Sequence, residues 1–407
     1  MKLTVLDGER FSCQSCTNCC RDWHVELIES EAVRLSQLAW ADSDELHGKN
    51  VLKKFGGKTY LQHKPDGACI FLNEENGLCR VHEQFDEKTK PLGCRIFPFH
   101  ITPTFNGEAS VTGRCDCPTI IRNEGKPLVE RRSEILQYAN AMGVSGGFSA
   151  KSLNGLNRQQ IERTVGFIDE AITKLDSNDE RALLMMRLIH HFDKNRDDMS
   201  KPTKLRSELA GFQEGIDNDL EQAEGSSLPG IAKIAFRSML TSYMRRDEDV
   251  IDGHAGRVGR SMAILRIVTG KGDFQQLGRH HKSANVGDIG LFTFAWVPKH
   301  GHVMDGFWRV VRGKMKTLQF MGSANFDADF FQGLRSLALM YPLVIATAKY
   351  AAYADGNDTI GDEQMAYAVA SIEHSFGRSR LLGTGLSRFY ENLLTERQAF
   401  AQLVSSL

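Results

Sequence analysis

All nine cysteines of this 407-residue chain fall between Cys13 and Cys117, and nothing beyond Cys117 carries a thiol. Cysteine used as a small buried hydrophobe would be spread along the chain, so the N-terminal stretch has a specific need for sulfur. The thiols come in three groups. Cys13, Cys16, Cys19 and Cys20 form a C-x2-C-x2-C-C run, Cys69, Cys79 and Cys94 are more widely spaced, and Cys115 and Cys117 flank Asp116. Two residues between thiols lets a tight turn aim both sulfurs at one centre, and the triple spacing matches the opening of bacterial ferredoxin ligand runs. Cys19 and Cys20 are adjacent, so in an extended chain they point to opposite sides and serve different roles.

The start of the chain has no apolar run long enough for a secretory leader, which places the protein in the cytosol as an expectation. Thiols stay reduced there, and an odd cysteine count then favours metal ligation over disulfides. Nine thiols supply two four-ligand sites with one to spare. Two zinc sites, two iron–sulfur clusters, or one cluster with additional thiols all satisfy that count. A 4Fe–4S cluster or zinc is the expected cofactor, with all nine cysteines as candidate ligands. His63, His82 and His100 lie in the same stretch and are candidates to replace one thiol. The bland alternative is a structural zinc module that staples a loop-rich segment. Arg80, Arg95 and Arg114 each adjoin a cysteine and are candidates to offset the negative charge of a thiolate centre; the alternative is that they hold loops together.

After residue 125 helical periodicity takes over. Ser177 to Glu180 reads as a capping box before the apolar run Ala182 to Ile189. Leu205, Leu209, Phe212, Ile216 and Leu220 share one helix face. Pro229 precedes a helix over Ile231 to Met244, and the stripe Met365, Val369, Ile372 and Phe376 ends at Gly377. Leu337 to Ala354 is long and apolar but carries Pro342 and Lys349, so a buried core helix is preferred to a membrane span. Residues 286–298 are the main candidate for a strand or buried loop. The expected fold is mainly α: a loop-rich cysteine module of mixed α and β structure over residues 1–125, packed on a mostly helical domain over 126–407.

The order Phe11-x-Cys13-x2-Cys16-x2-Cys19-Cys20, then Gly67-Ala68-Cys69-Ile70-Phe71-Leu72, Cys79-Arg80-Val81-His82 and Pro91-Leu92-Gly93-Cys94-Arg95-Ile96-Phe97-Pro98, resembles the CxxCxxCC (YkgJ-type) family of zinc- or iron-chelating proteins. The resemblance covers about the first 120 residues. Among long relatives, Trp23 and the segment Leu334 to Tyr350 look like features of flagellin lysine-N-methylases. That resemblance implies methyl transfer from S-adenosylmethionine to lysines of a protein partner such as flagellin. A non-catalytic binding module or a metal-handling protein are the competing expectations.

Lys and Arg total 50 against 51 Asp and Glu, a net charge of −1, which argues against a broad nucleic-acid surface. The Gly253-x-x-Gly256-x-x-Gly259 run lacks a preceding strand and reads as a helix-ending loop, although His254, Arg257 and Arg260 would suit an anion. His280-His281 and His300-x-His302 lack a carboxylate at ligand spacing and read as surface loops. His190-His191 reads as following a helix whose dipole they complement. Asp247-Glu248-Asp249 reads as a solvated loop.

Overall fold

The computed structural model describes residues 1–223, 228–246, 257–278, 281–288 and 302–407. Gly253 to Gly256, Asp247 to Asp249, His280, His300 and most of 286–298 lie outside the described residues. The chain is mainly helical, with seventeen α-helices among the described residues and eight short strands, all within the first 127 positions.

The strands form three small sheets. β1 (Lys2–Thr4) runs parallel to β7 (Glu108–Gly113), and β6 (Phe99–Pro103) pairs antiparallel with the other edge of β7. β2 (Arg10–Phe11) pairs with β8 (Lys126–Pro127). β3 (Glu26–Leu27), β5 (Lys58–Leu61) and β4 (Leu52–Phe55) make the third sheet, with β5 central. These sheets feed two small apolar clusters. One joins Val25, Leu27, Leu35, Trp40, Leu61, Phe71 and Val81, with Cys69, Cys79 and Cys94 packed against it. The other joins Leu3, Phe11, Phe99, Ile101, Val111 and Ile120 to Ile135 and Tyr138. Ile135 and Tyr138 lie on the Arg132–Ala141 helix, so apolar packing runs on past residue 125.

The rest of the chain builds one larger core around the Phe330–Ala354 helix. Asp329 caps its start by accepting the backbone N–H groups of Phe331 and Gln332, each at 3.0 Å. It is long and apolar enough to cross a membrane, but 89% of its most apolar window is buried inside the fold. It packs along the Asp362–Ser375 helix. That helix stops where expected, with Gly377 in the left-handed region at φ +70. A Cβ at Gly377 would lie 1.9 Å from the Ala324 carbonyl oxygen, so glycine is required there twice over.

Two sequence expectations change in detail. The Asn178–Lys194 helix begins at Ser177, as expected, but runs through His190 and His191 instead of ending before them. Their rings reach tertiary partners: His190 meets the Thr395 carbonyl at 2.7 Å, and His191 meets Asp198 at 2.8 Å. The apolar stripe from Leu205 to Leu220 is split, because Pro202–Glu208 is a 3-10 helix and the α-helix starts at Leu209.

The N-terminal sheets and the helical core are bonded directly. Ser110 donates to the Thr317 carbonyl at 2.8 Å, and Thr112 donates to Gln319 at 2.6 Å. Gln319 in turn donates to the His100 and Ser110 carbonyls. Arg309 pairs with Glu9 at 2.6 Å. Deeper in, Lys314 and Glu373 form a 2.7 Å ion pair at 1% and 0% exposure.

Candidate metal centre

The first cysteine run leaves β2 as an irregular loop in which Ser15 and Thr17 are left-handed. Cys13 and Cys16 are exposed on this loop. Thr17 then opens the Asn18–Asp22 helix, which carries Cys19 and Cys20 inward. The Cys69 N–H donates to the Cys20 carbonyl at 2.6 Å, which draws the second cysteine group onto the first. Leu72 bridges Cys79, and Cys79 starts the Arg80–Gln84 helix. Cys94 sits in the Leu92–Ile96 helix, whose Leu92 N–H is bound by Glu31 at 2.7 Å.

These elements enclose a cavity of about 80 Å³ whose wall holds five thiols: Cys19, Cys20, Cys69, Cys79 and Cys94. Trp23, Phe71 and Phe97 supply aromatic walls, and Lys90 is the cationic side chain in the lining. The Cys19 and Cys20 sulfurs are 4.0 Å apart. Among the described residues no three Cys, His, Asp or Glu side chains converge at the spacing of a single bound ion.

Burial and mutual repulsion hold most of the wall thiols in the neutral form. Burial pushes Cys69 up to about 12 and raises Cys79 and Cys94, and neighbouring thiols add to the shift at each. The hydrogen bond with Cys19 lowers Cys20 to about 7, helped by Lys90 and Arg21, while Cys19 is correspondingly raised. A metal must therefore displace protons from most of the wall, and its binding is coupled to pH and to proton release.

The remaining candidates are placed elsewhere. Cys115 is buried in the helical core, where its N–H donates to Glu373 at 2.9 Å. Burial, with Glu373 adding to it, holds its thiol well above the usual range. Cys117 opens the Pro118–Arg122 helix within the second small cluster. Its thiol is raised by burial, with a small contribution from Cys16, the thiol of the exposed loop. The structure thus brings together five of the nine thiols, sets Cys13, Cys16 and Cys117 outside the cavity wall, and faces Cys115 away.

None of the three arginines lines the cavity. Arg80 pairs with Asp44 at 2.7 Å and with Glu45, and lies 5.8 Å over the Trp40 ring. Arg114 pairs with Asp116 at 2.6 Å and lies 5.6 Å over both the Trp23 and Phe97 rings. Arg95 has a buried Nε without a hydrogen-bond partner. His63 stacks on His24 at 4.3 Å and bridges Cys69, His82 is exposed, and His100 sits on β6 against the helical core. Lys90, the cation that does face the thiols, was missed by sequence reasoning. Its signal was Lys90-Pro91 directly before the helix that carries Cys94.

The match of this thiol-rich segment to known proteins is specific. Residues 12–118 match the CxxCxxCC family, whose description reads "Putative zinc- or iron-chelating domain". The CxxCxxCC segment contains every cavity residue named above, and all nine cysteines lie inside it. An uncharacterized protein of Methanocaldococcus jannaschii, MJ0939, is 25% identical over 133 residues, covering 32% of this chain. The match spans 44% of that relative's own length. No solved structure matches this chain. The family and the donor set agree on metal binding, zinc or iron, as the property of the CxxCxxCC segment. Soft thiolates are the donors that both zinc and iron–sulfur clusters take.

Proposed function

We propose that the CxxCxxCC segment holds an iron–sulfur cluster in the thiol-lined cavity, with Cys20, Cys69, Cys79 and Cys94 as its ligands and Cys19 as a flanking thiol. The observation that carries this reading is a cavity walled by five thiols, more than one tetrahedral ion takes. A tetrahedral zinc site takes four sulfurs around one ion. A polynuclear cluster accepts thiolates that are more widely spread around a common space. Aromatic and aliphatic walls exclude water, which protects a cluster and tunes its potential.

Anaerobic purification followed by absorption spectroscopy and iron and acid-labile sulfide assays tests the reading. Visible charge-transfer absorption with iron and sulfide is expected. A colourless protein holding one equivalent of zinc and no sulfide would refute it. That second outcome supports the structural-zinc alternative, which has its own observation: Cys69, Cys79 and Cys94 pack against the apolar cluster of the same segment.

For the reaction, resemblance to flagellin lysine-N-methylases favours S-adenosylmethionine-dependent methylation of lysines on a protein partner such as flagellin, in the cytosol. Trp23, one of the residues that carries this resemblance, lies in the cavity wall. Incubation of reduced, cluster-loaded protein with S-adenosylmethionine and flagellin should add methyl mass to the flagellin. An unchanged flagellin mass would remove this reaction while leaving the metal centre in place.

A further inference from the structure

A four-thiolate centre carries excess negative charge. Four thiolates around a divalent ion, or around a cluster core of charge +2, leave about −2 inside a low-dielectric wall. Such charge is stable only if fixed donors or cations compensate it. Of the cations nearest in sequence to the cysteines, Arg95 lies outside the cavity lining and four others are already committed. Arg80 is bound by Asp44 and Glu45, and Arg114 by Asp116. Arg21 is bound by Asp66 and Glu74, and Lys64 by the Leu72 carbonyl at 2.8 Å and by Glu74.

Lys90 differs from all of these. Among the described residues it makes no ion pair, and it lies in the cavity lining beside Pro91 and Cys94. Its position is fixed from both sides. A turn precedes it, with the Thr89 N–H bound by Asp86 at 2.5 Å and the Lys90 N–H bound by the Glu87 carbonyl at 3.2 Å. Pro91 follows, restricting Lys90 to extended backbone and opening the helix that carries Cys94.

We infer that Lys90 is the charge-compensating residue of the thiolate centre, a positioning residue whose ammonium sets the affinity of the thiolates for a cation. This rests on the reading of the cavity as a metal centre, and the test separates the two. The full-length metal-free protein is titrated with zinc alone against a chromophoric chelator, as wild type, Lys90→Met and Lys90→Arg. Lys90→Met keeps the length of the side chain and removes its charge. It should weaken zinc binding about tenfold or more, the size expected for one charge several ångströms from the thiolates. Lys90→Arg should bind within about threefold of wild type, and the thermal unfolding of all three metal-free proteins should coincide.

Wild-type zinc affinity in Lys90→Met would overturn the inference and leave the metal centre standing. Equal weakening in Lys90→Arg would overturn it too, because the charge would then not be the cause. Failure of the wild-type protein to hold zinc would overturn the inference, while the cluster reading stands or falls by its own iron and sulfide assay.

Discussion

Asp116 accepts a hydrogen bond from His374 across 2.7 Å, so the last cysteine loop of the N-terminal segment is bonded to a helix that begins more than 240 residues later. Burial alone would raise the Asp116 carboxyl, yet His374, Arg114 and Arg378 together hold it well below the usual carboxylate range. Asp116→Asn should leave Arg114 and Arg378 without their shared counter-charge. A loss of about 2–4 kcal/mol in urea-induced unfolding is expected. Wild-type stability would mean that the Asp116 ion pairs add nothing net to the hold of this loop on the helix.

The Lys314–Glu373 pair lies deeper, out of reach of water, and Glu373 is also held by Arg378 and the Cys115 N–H. Glu373→Gln should cost about 3–5 kcal/mol, because it leaves Lys314 buried without its counter-charge, and Lys314→Met should cost less, because Arg378 still pairs with Glu373. The double variant should be much less destabilised than the sum of the two. A double-mutant cycle by chemical denaturation measures that coupling, and additive losses would contradict a direct pair.

His100 gives the fold a pH dependence of known sign. Burial, then Lys314 and Arg378, lower it to about 3, with Arg114 adding and Glu373 opposing. Its folded pKa lies below that of the unfolded chain, so the unfolded state binds the extra proton. Stability from this group is full above about pH 6.5 and falls as pH drops from there toward 3. The loss should reach about 1–2 kcal/mol by pH 5. His100→Gln should flatten this part of the stability–pH curve; an unchanged slope would show that His100 is not its source.

The thiols should separate by position. Cys69→Ser, Cys79→Ser and Cys94→Ser each remove a wall thiol and should abolish or sharply reduce bound metal, measured as metal per protein chain. Cys115→Ser should retain metal, since Cys115 faces Glu373 and the helical core. Metal loss in Cys115→Ser with an intact fold would contradict that division.

The helical architecture was legible because periodicity and caps are local. Ser177 and Gly377 mark boundaries that the structure reproduces, and the Phe330–Ala354 helix is buried as its composition implies. The cysteine segment was legible as a pattern, and its five cavity thiols come from both of its first two groups. What could not be read was the direction of each side chain. Arg80 and Arg114 adjoin cysteines in sequence, yet chain neighbours diverge in space, and both found carboxylates instead. Cys115 and Cys117 looked equivalent, but their roles depend on Glu373 and the Pro118–Arg122 helix, and no local spacing encodes the first of these contacts.

The cavity wall is assembled from residues between Cys19 and Phe97. Its closing partner across the Cys115–Asp116 loop, by contrast, includes Glu373 and His374. A ribosome releases the first set long before the second, and N-terminal units generally fold first. The thiol pocket is therefore complete in sequence while most of the polypeptide is still unmade. Every residue that lines the pocket precedes in the chain the helix on which the Cys115–Asp116 loop docks.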